Sequence, residues 1–220
     1  MTETIEYPKN MGFNITGDLT ENREAYQLWY DNNSHFGNHV VTKDYPFVFW
    51  LLPFVEGTVI DLGCQWGGVT QILCDSSNAT VVDAIDITAQ NIIKAIDYVK
   101  SPKLGRIWMS YIEDMPEDKK YDTVFFTGVL EHVLDSVKTL TNAMKLMAPN
   151  GQLLLMVPNG PSFQEPDHIR EYTPKSLHEE IQQCAVNAGL HVGIQLVTTH
   201  NPEFDIEHYS WLLARIKRIN

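Results

Sequence analysis

The sequence is short of cysteine, of positive charge and of long apolar runs. Its three cysteines, Cys64, Cys74 and Cys184, are odd in number and none stands in a Cys-x-x-Cys pair. Neither a disulfide framework nor a thiolate zinc site is indicated. The chain carries 16 lysines and arginines against 28 aspartates and glutamates, a formal charge of −12. Such a surface repels a phosphate backbone, so nucleic acid is not an expected partner. The short cluster Arg215, Lys217 and Arg218 reads as a solvated strand end. The longest apolar stretch, from Tyr45 to Val55, is broken by Pro46 and Pro53, and it falls well short of the ~20 residues of a membrane helix. The N-terminus lacks the basic and apolar regions of a signal peptide. Together these absences predict a soluble, cytoplasmic protein without a membrane partner, and they leave the oligomeric state open.

What is present is a rhythm. From Thr58 onward, β-branched runs alternate with helical patterns. The runs Thr58–Leu62, Thr80–Ile87, Arg106–Ile112, Thr123–Thr127 and Gln152–Val157 read as strands. Between them, Thr88 is placed to cap a helix carrying Ile92, Ile93, Ile96 and Val99. Asp135 or Ser136 can cap a helix through Leu140, Met144 and Met147 that Pro149-Asn150-Gly151 stops, and Thr173-Pro174 opens a helix that Gly189 ends. Strands buried on both faces and joined by helices predict an α/β fold, a Rossmann-like doubly wound sheet with helices on both faces. The last two runs, His191–Thr199 and His208–Ile216, have no helix between them and should be antiparallel. The expected sheet is therefore seven-stranded, five parallel strands plus an antiparallel closing hairpin. Residues 1–45 read as an N-terminal cap segment, with a helix over Glu24–Tyr30, and residues 46–220 as the main domain.

Ligands of such a sheet sit beyond the carboxyl ends of the strands. Four segments meet there: the glycine turn from Asp61 to Gly68, Asp86 after strand two, Tyr111 to Met115 after strand three, and Thr127 to His132 after strand four. A carboxylate at Asp86 can accept ribose hydroxyls, which suits NAD, FAD and S-adenosylmethionine alike. The glycine spacing separates them. A dinucleotide turn needs Gly-x-Gly-x-x-Gly so that a pyrophosphate can approach the backbone. Here the three positions are Gly63, Gln65 and Gly68, with the acid Asp61 just upstream. A glutamine side chain at the middle position crowds a diphosphate, and an acid repels one.

Val-Ile-Asp-Leu-Gly-Cys-Gln-Trp-Gly-Gly resembles the first motif of the class I S-adenosylmethionine-dependent methyltransferases. Asp86 in Asp-Ala-Ile-Asp-Ile-Thr, Glu113-Asp114-Met115-Pro116, Tyr121-Asp122-Thr123-Val124 and Pro149-Asn150-Gly151 resemble their later motifs, in register. Val129-Leu130-Glu131-His132-Val133 is similar to a segment of the small-molecule, ubiquinone-biosynthesis-like branch. The resemblance covers roughly residues 55 to 217. It implies S-adenosylmethionine as cofactor, with Gly63, Cys64, Gln65 and Gly67 in the binding turn and Asp61 near the cofactor's amino group. It further implies that Asp86 holds the ribose, that Ile87 lines the adenine, that Ile112 or Glu113 meets the adenine edge, and that Thr127 and Gly128 close the methionine end. Gln65 is the departure, since the family usually has glycine there.

Methyl transfer from a sulfonium mainly requires proximity and orientation, with a base needed only to deprotonate the acceptor. His132 and His168 are the two candidate bases, and each has an alternative role as a structural hydrogen-bonder. His168 lies in the long loop from Asn159 to Tyr172, where Arg170 and Tyr172 are the other substrate-facing candidates. Asp167, His168 and Glu171 match no strong ligand spacing, so no metal is expected. The leading reading is methylation of a small molecule such as a sugar, quinone-like compound or secondary metabolite, at oxygen first and nitrogen next. Its rivals are a non-catalytic binding or scaffold protein, motivated by Gln65, and an NAD-dependent oxidoreductase.

Overall fold

The computed structural model describes residues 19–33, 46–76, 78–160, 168–200 and 210–219. After helices α1 (Leu19–Asn33) and α2 (Pro46–Leu51), β1 (Glu56–Leu62), α3 (Gly68–Ser76), β2 (Asn78–Asp86), α4 (Ala89–Tyr98) and β3 (Leu104–Met109) follow in alternation. A short 3-10 turn at Ile112–Asp114 leads to β4 (Tyr121–Thr127), α5 (Ser136–Lys145), β5 (Met147–Pro158) and α6 (Pro174–Ala188). The closing strands are β6 (His191–His200) and β7 (Ser210–Ile219). The sheet order is β3-β2-β1-β4-β5-β7-β6. The first five strands are parallel, and β7 pairs antiparallel with both β5 and β6. This is the seven-stranded, doubly wound sheet that the sequence predicts. Residues 208 and 209, placed by the sequence in the last strand, lie outside the described residues.

Alternation along each strand explains the two-sided core. In β5, Leu153, Leu155 and Val157 pack under α5 and α6 with Leu140, Met144, Leu177 and Ile181. The intervening Leu154 and Met156 pack on the other face with Val48, Leu51 and Leu73. Both faces are dry, so the strand reads as one apolar run. The caps stand as expected: Thr88, Asp135 and Thr173 each accept a backbone N–H in their helix's first turn, and Gly189 ends α6 with a left-handed φ of 67°.

Several boundaries differ from expectation for physical reasons. Helix α5 stops at Lys145, and Met147 already pairs with Tyr121 in the sheet. Pro149-Asn150-Gly151 is thus a bulge inside β5, with Asn150 at φ 63°. Strand β3 ends at Met109, three residues before Ile112, because Ile112 turns into the 3-10 helix. In α4 the buried stripe is Ile92, Ala95 and Val99, while Ile93 and Ile96 face outward. No described helix is long and apolar enough to cross a membrane.

Candidate functional site

The turn after β1 is built around glycines that neighbours leave no room to replace. A Cβ on Gly63, at φ 81°, would lie 2.4 Å from the Val129 side chain, and one on Gly67, at φ 85°, would lie 2.5 Å from Val99. The first lets the turn close on the β4 loop and the second on α4. The backbone N–H groups of Gly63 and Cys64 both donate to the Ile85 carbonyl, at 2.9 and 2.8 Å, and that of Gly67 donates to Cys64 at 2.8 Å. The Gln65 N–H donates to the Asp86 carboxylate at 2.9 Å. These four donors are directed at the protein itself, whereas a dinucleotide turn directs its donors at phosphate. Gln65 takes the left-handed conformation, φ 46°, with its side chain exposed. Cys64 is buried, and burial followed by the charges of Asp86 and Asp61 pushes its thiol well above the ordinary value, so it packs as a neutral group.

Two buried acids close the adjacent strands β1 and β2. Asp86 is held by the Thr88 N–H, the Thr88 hydroxyl and the Asn91 amide on one oxygen, at 2.9, 3.0 and 3.1 Å, and by Gln65 on the other. The second oxygen keeps a lone pair for one ribose hydroxyl. Both ribose hydroxyls on this carboxylate, as the sequence suggested, would overload it. Trp66 donates to Asn91 at 2.8 Å, extending the network along α4. Asp61 accepts the Thr70 hydroxyl at 2.6 Å. Burial, reinforced by Asp86 and moderated by Thr70, pushes the Asp61 carboxyl up to about 7. Among the described residues, the hydrogen-bond donors to both acids are neutral groups. Burial also raises the Asp86 carboxyl, so both acids are held toward the neutral form, and a cationic ligand would draw them into ionisation.

Helix α1 roofs the strand ends. Gln27 donates to the Ile87 carbonyl at 2.7 Å and accepts the Tyr111 hydroxyl at 2.8 Å. Arg23 lies 3.5 Å over the Tyr111 ring and pairs with Asp114. The Tyr26 hydroxyl donates to the His132 carbonyl at 2.8 Å. The sequence pattern pointed to no site role for Arg23 or Gln27, since α1 shows no strong amphipathic period. Ile87 packs against the small cluster of Tyr26 and Ile169, as do Trp29 and Tyr30 of α1. Ile112 is buried beside the crevice, but Glu113 is turned to α5, where it accepts the Thr139 hydroxyl. Glu113 therefore braces the loop, and Tyr111 is the polar group that faces the roof. Gly128, at φ 65°, opens onto space: a Cβ there would meet only Glu131, at 3.9 Å. Thr127, the last residue of β4, is half-buried beside it.

The structure brings the two histidines together. The rings of His132 and His168 lie 4.7 Å apart, edge to face, with Tyr30 6.4 Å from His132. Glu131, His132 and His168 each offer a ligand atom, all within 4.8 Å of one another. The acid of this group is Glu131, whose Oε1 lies 3.9 Å from His132 Nε2. Glu171 is exposed, and Asp167 lies outside the described residues.

Arg170 and Tyr172 are turned to the protein itself. Tyr172 is buried in the core, its hydroxyl 3.3 Å from Glu180 and pushed well above its ordinary value by burial. Arg170 donates to the carbonyls of Leu130, Val133 and Leu134. Both are polar residues of a long loop whose partners are backbone or core atoms, which sequence spacing does not reveal.

The sequence profile of the methyltransferase-domain family matches residues 35–216. The chain is 25% identical over 173 residues to the ubiquinone biosynthesis O-methyltransferase of Rickettsia conorii, covering 75% of this chain and 59% of that protein. Against the Rickettsia akari protein of the same name it spans 50% of the relative's length. The fold is similar to the N-methyltransferase NodS of Bradyrhizobium japonicum in complex with S-adenosyl-L-homocysteine, with a TM-score of 0.65 at 15% identity, covering 91% of this chain and 98% of that one. It is also similar to a putative methyltransferase bound to the Trm112 activator of Haloferax volcanii, with a TM-score of 0.69 at 16% identity, covering 89% and 98% of the two chains.

Proposed function

The chain belongs to the methyltransferase-domain family, in its class I, S-adenosylmethionine-dependent form, and from that premise we propose that it methylates a small-molecule acceptor at oxygen. The observation that carries this reading is the pair of buried carboxyls, Asp61 and Asp86, whose hydrogen-bond donors are neutral and whose neighbouring N–H groups are already engaged. A cofactor with a sulfonium and an ammonium supplies the missing positive charge, while a diphosphate would add negative charge to it.

When bound, S-adenosylmethionine supplies a methyl group already activated by its sulfonium, and it leaves as a neutral thioether. Gly63 and Gly67 would admit its methionine part, Asp61 would pair with the amino group, Asp86 would accept a ribose hydroxyl, and Ile112 would line the adenine. Thr127 and Gly128 would close the methionine end. The protein's remaining work is to exclude water, orient the acceptor and remove its proton. Helix α1, within the 1–45 cap, covers the crevice. His132 or His168 takes the proton from the acceptor hydroxyl as the new oxygen–carbon bond forms. The low-identity likeness to ubiquinone biosynthesis O-methyltransferases favours oxygen over nitrogen and a small acceptor.

A second reading adds a divalent cation at Glu131, His132 and His168, whose one oxygen and two nitrogens suit a first-row transition metal. Such an ion would polarise the acceptor hydroxyl.

The test is an assay for S-adenosylhomocysteine release with panels of phenolic, sugar and amine acceptors. Turnover with a hydroxylated acceptor and none with its methyl ether supports the proposal. Cofactor binding without turnover on any panel would favour a scaffold role.

A further inference from the structure

Between β4 and α5 the backbone turns through residues 130–134, and each of the five carbonyls is claimed from outside the turn. Arg170 Nη1 donates to Leu130 at 2.9 Å and also to Val133, and Nη2 donates to Leu134 at 3.0 Å. The Ile169 N–H donates to Glu131 at 3.0 Å, and the Tyr26 hydroxyl to His132 at 2.8 Å. Four of the five bonds thus come from two adjacent residues, and His168 immediately precedes them.

A turn whose carbonyls converge on one planar guanidinium has its shape set by that guanidinium. An ammonium is a point charge and cannot serve three carbonyls in a fork. The pair His132 and His168 spans the same seam, one ring from each side, 4.7 Å apart. Ile169 is buried against Tyr26 and Leu134 and supplies the apolar half of the seam.

We propose that Arg170 is a positioning residue: its guanidinium fork fixes the 130–134 turn against residues 168–170 and so sets the His132–His168 geometry on which acceptor chemistry depends. The Arg170 guanidinium is turned to the Leu130, Val133 and Leu134 carbonyls. The proposal deepens the methyltransferase reading, and its structural half is measured without any ligand.

The experiment compares the full chain with Arg170→Ala and Arg170→Lys by NMR on histidine-labelled protein, alongside calorimetry with S-adenosylhomocysteine. The wild type should show a ring-to-ring NOE between His132 and His168. Both variants should lose it while keeping S-adenosylhomocysteine affinity within about threefold, because the cofactor side is built by other residues. Turnover on an accepted substrate should fall at least about tenfold through kcat. Added guanidinium should restore the NOE and turnover in Arg170→Ala and not in Arg170→Lys. Tyr26→Phe, which removes one bond from α1, should keep the NOE. Persistence of the NOE in Arg170→Ala would overturn the proposal. So would failure of both variants to fold, or loss of cofactor binding together with the NOE, since Arg170 would then support the whole domain. Absence of cofactor binding in the wild type would sink the methyltransferase reading and leave the NOE arm standing.

Discussion

The Asp86 carboxylate accepts the backbone N–H of Gln65 at 2.9 Å, so the residue that departs from the family's glycine is pinned by its main chain. Its left-handed φ of 46° is the conformation that glycine adopts freely.

Gln65→Gly should leave stability nearly unchanged. A non-glycine residue in the left-handed region costs about 1–2 kcal/mol, and the added unfolded-state freedom of glycine costs about 0.4–1 kcal/mol in return. The two largely offset. Thermal unfolding should therefore shift little, and S-adenosylhomocysteine affinity should change by less than about threefold, since the exposed side chain is outside the hydrogen-bond network. A tenfold gain in affinity, measured by calorimetry, would show instead that the glutamine side chain obstructs the cofactor.

Asp61 makes the ligand-free protein sensitive to pH. Its folded value of about 7 lies above the ordinary 3.8, so the folded state holds the proton more tightly than the unfolded chain does. The resulting stability is fully present below the unfolded value and is lost as pH rises through about 7. The loss is roughly 4 kcal/mol at 1.36 kcal/mol per unit. Asp61→Asn should raise the melting temperature above neutral pH and flatten its pH dependence, while weakening cofactor binding. In the wild type near pH 6, binding the cofactor's ammonium should release a proton, seen as a buffer-dependent calorimetric enthalpy. A pH-independent melting temperature shared by wild type and variant would contradict this.

If Glu131, His132 and His168 hold a cation, the chelated protein should take up one zinc or cobalt ion. Binding should weaken as the pH falls and the imidazoles protonate. His168→Ala should lower the affinity at least about tenfold, by analogy with the loss of a group that orients a metal site. Unchanged uptake in that variant would place the ion elsewhere.

A polar side chain in the middle of α1 ties the roof to the loops below it. Gln27 bridges the Ile87 carbonyl and the Tyr111 hydroxyl, linking the loops after β2 and β3. Gln27→Ala should lower stability by about 1 kcal/mol and speed S-adenosylhomocysteine release, measured by stopped-flow competition. An unaltered release rate would separate α1 from the cofactor.

The parts of this molecule that follow from local rules were readable in the sequence. Thr88, Asp135, Thr173 and Gly189 begin and end helices by short-range hydrogen bonding and backbone preference, and each stands where that chemistry put it. Asp61 and Asp86 were visible as acids ending apolar strands. Arg170, Tyr172 and Glu113 are turned to partners that the sequence did not announce, for one shared reason. Their partners are the Leu130, Val133 and Leu134 carbonyls, Glu180 within the α6 packing, and Thr139 on α5. Nothing in a loop's spacing announces such a partner. The bulge at Pro149-Asn150-Gly151 was equally hidden, because a turn signal reads the same at a helix end and inside a strand. Arg23 and Gln27 act through contacts across 60 or more residues of chain, which no periodicity encodes.

Two buried acids at neighbouring strand ends suit a cationic, diphosphate-free cofactor. Isothermal titration of the full chain with S-adenosylhomocysteine and with NAD, for wild type and Asp86→Asn, tests it most directly. The wild type should bind S-adenosylhomocysteine at a single micromolar site, weakened at least about tenfold by Asp86→Asn, and give no heat with NAD. Binding of NAD, with none of S-adenosylhomocysteine at millimolar concentration, would contradict it.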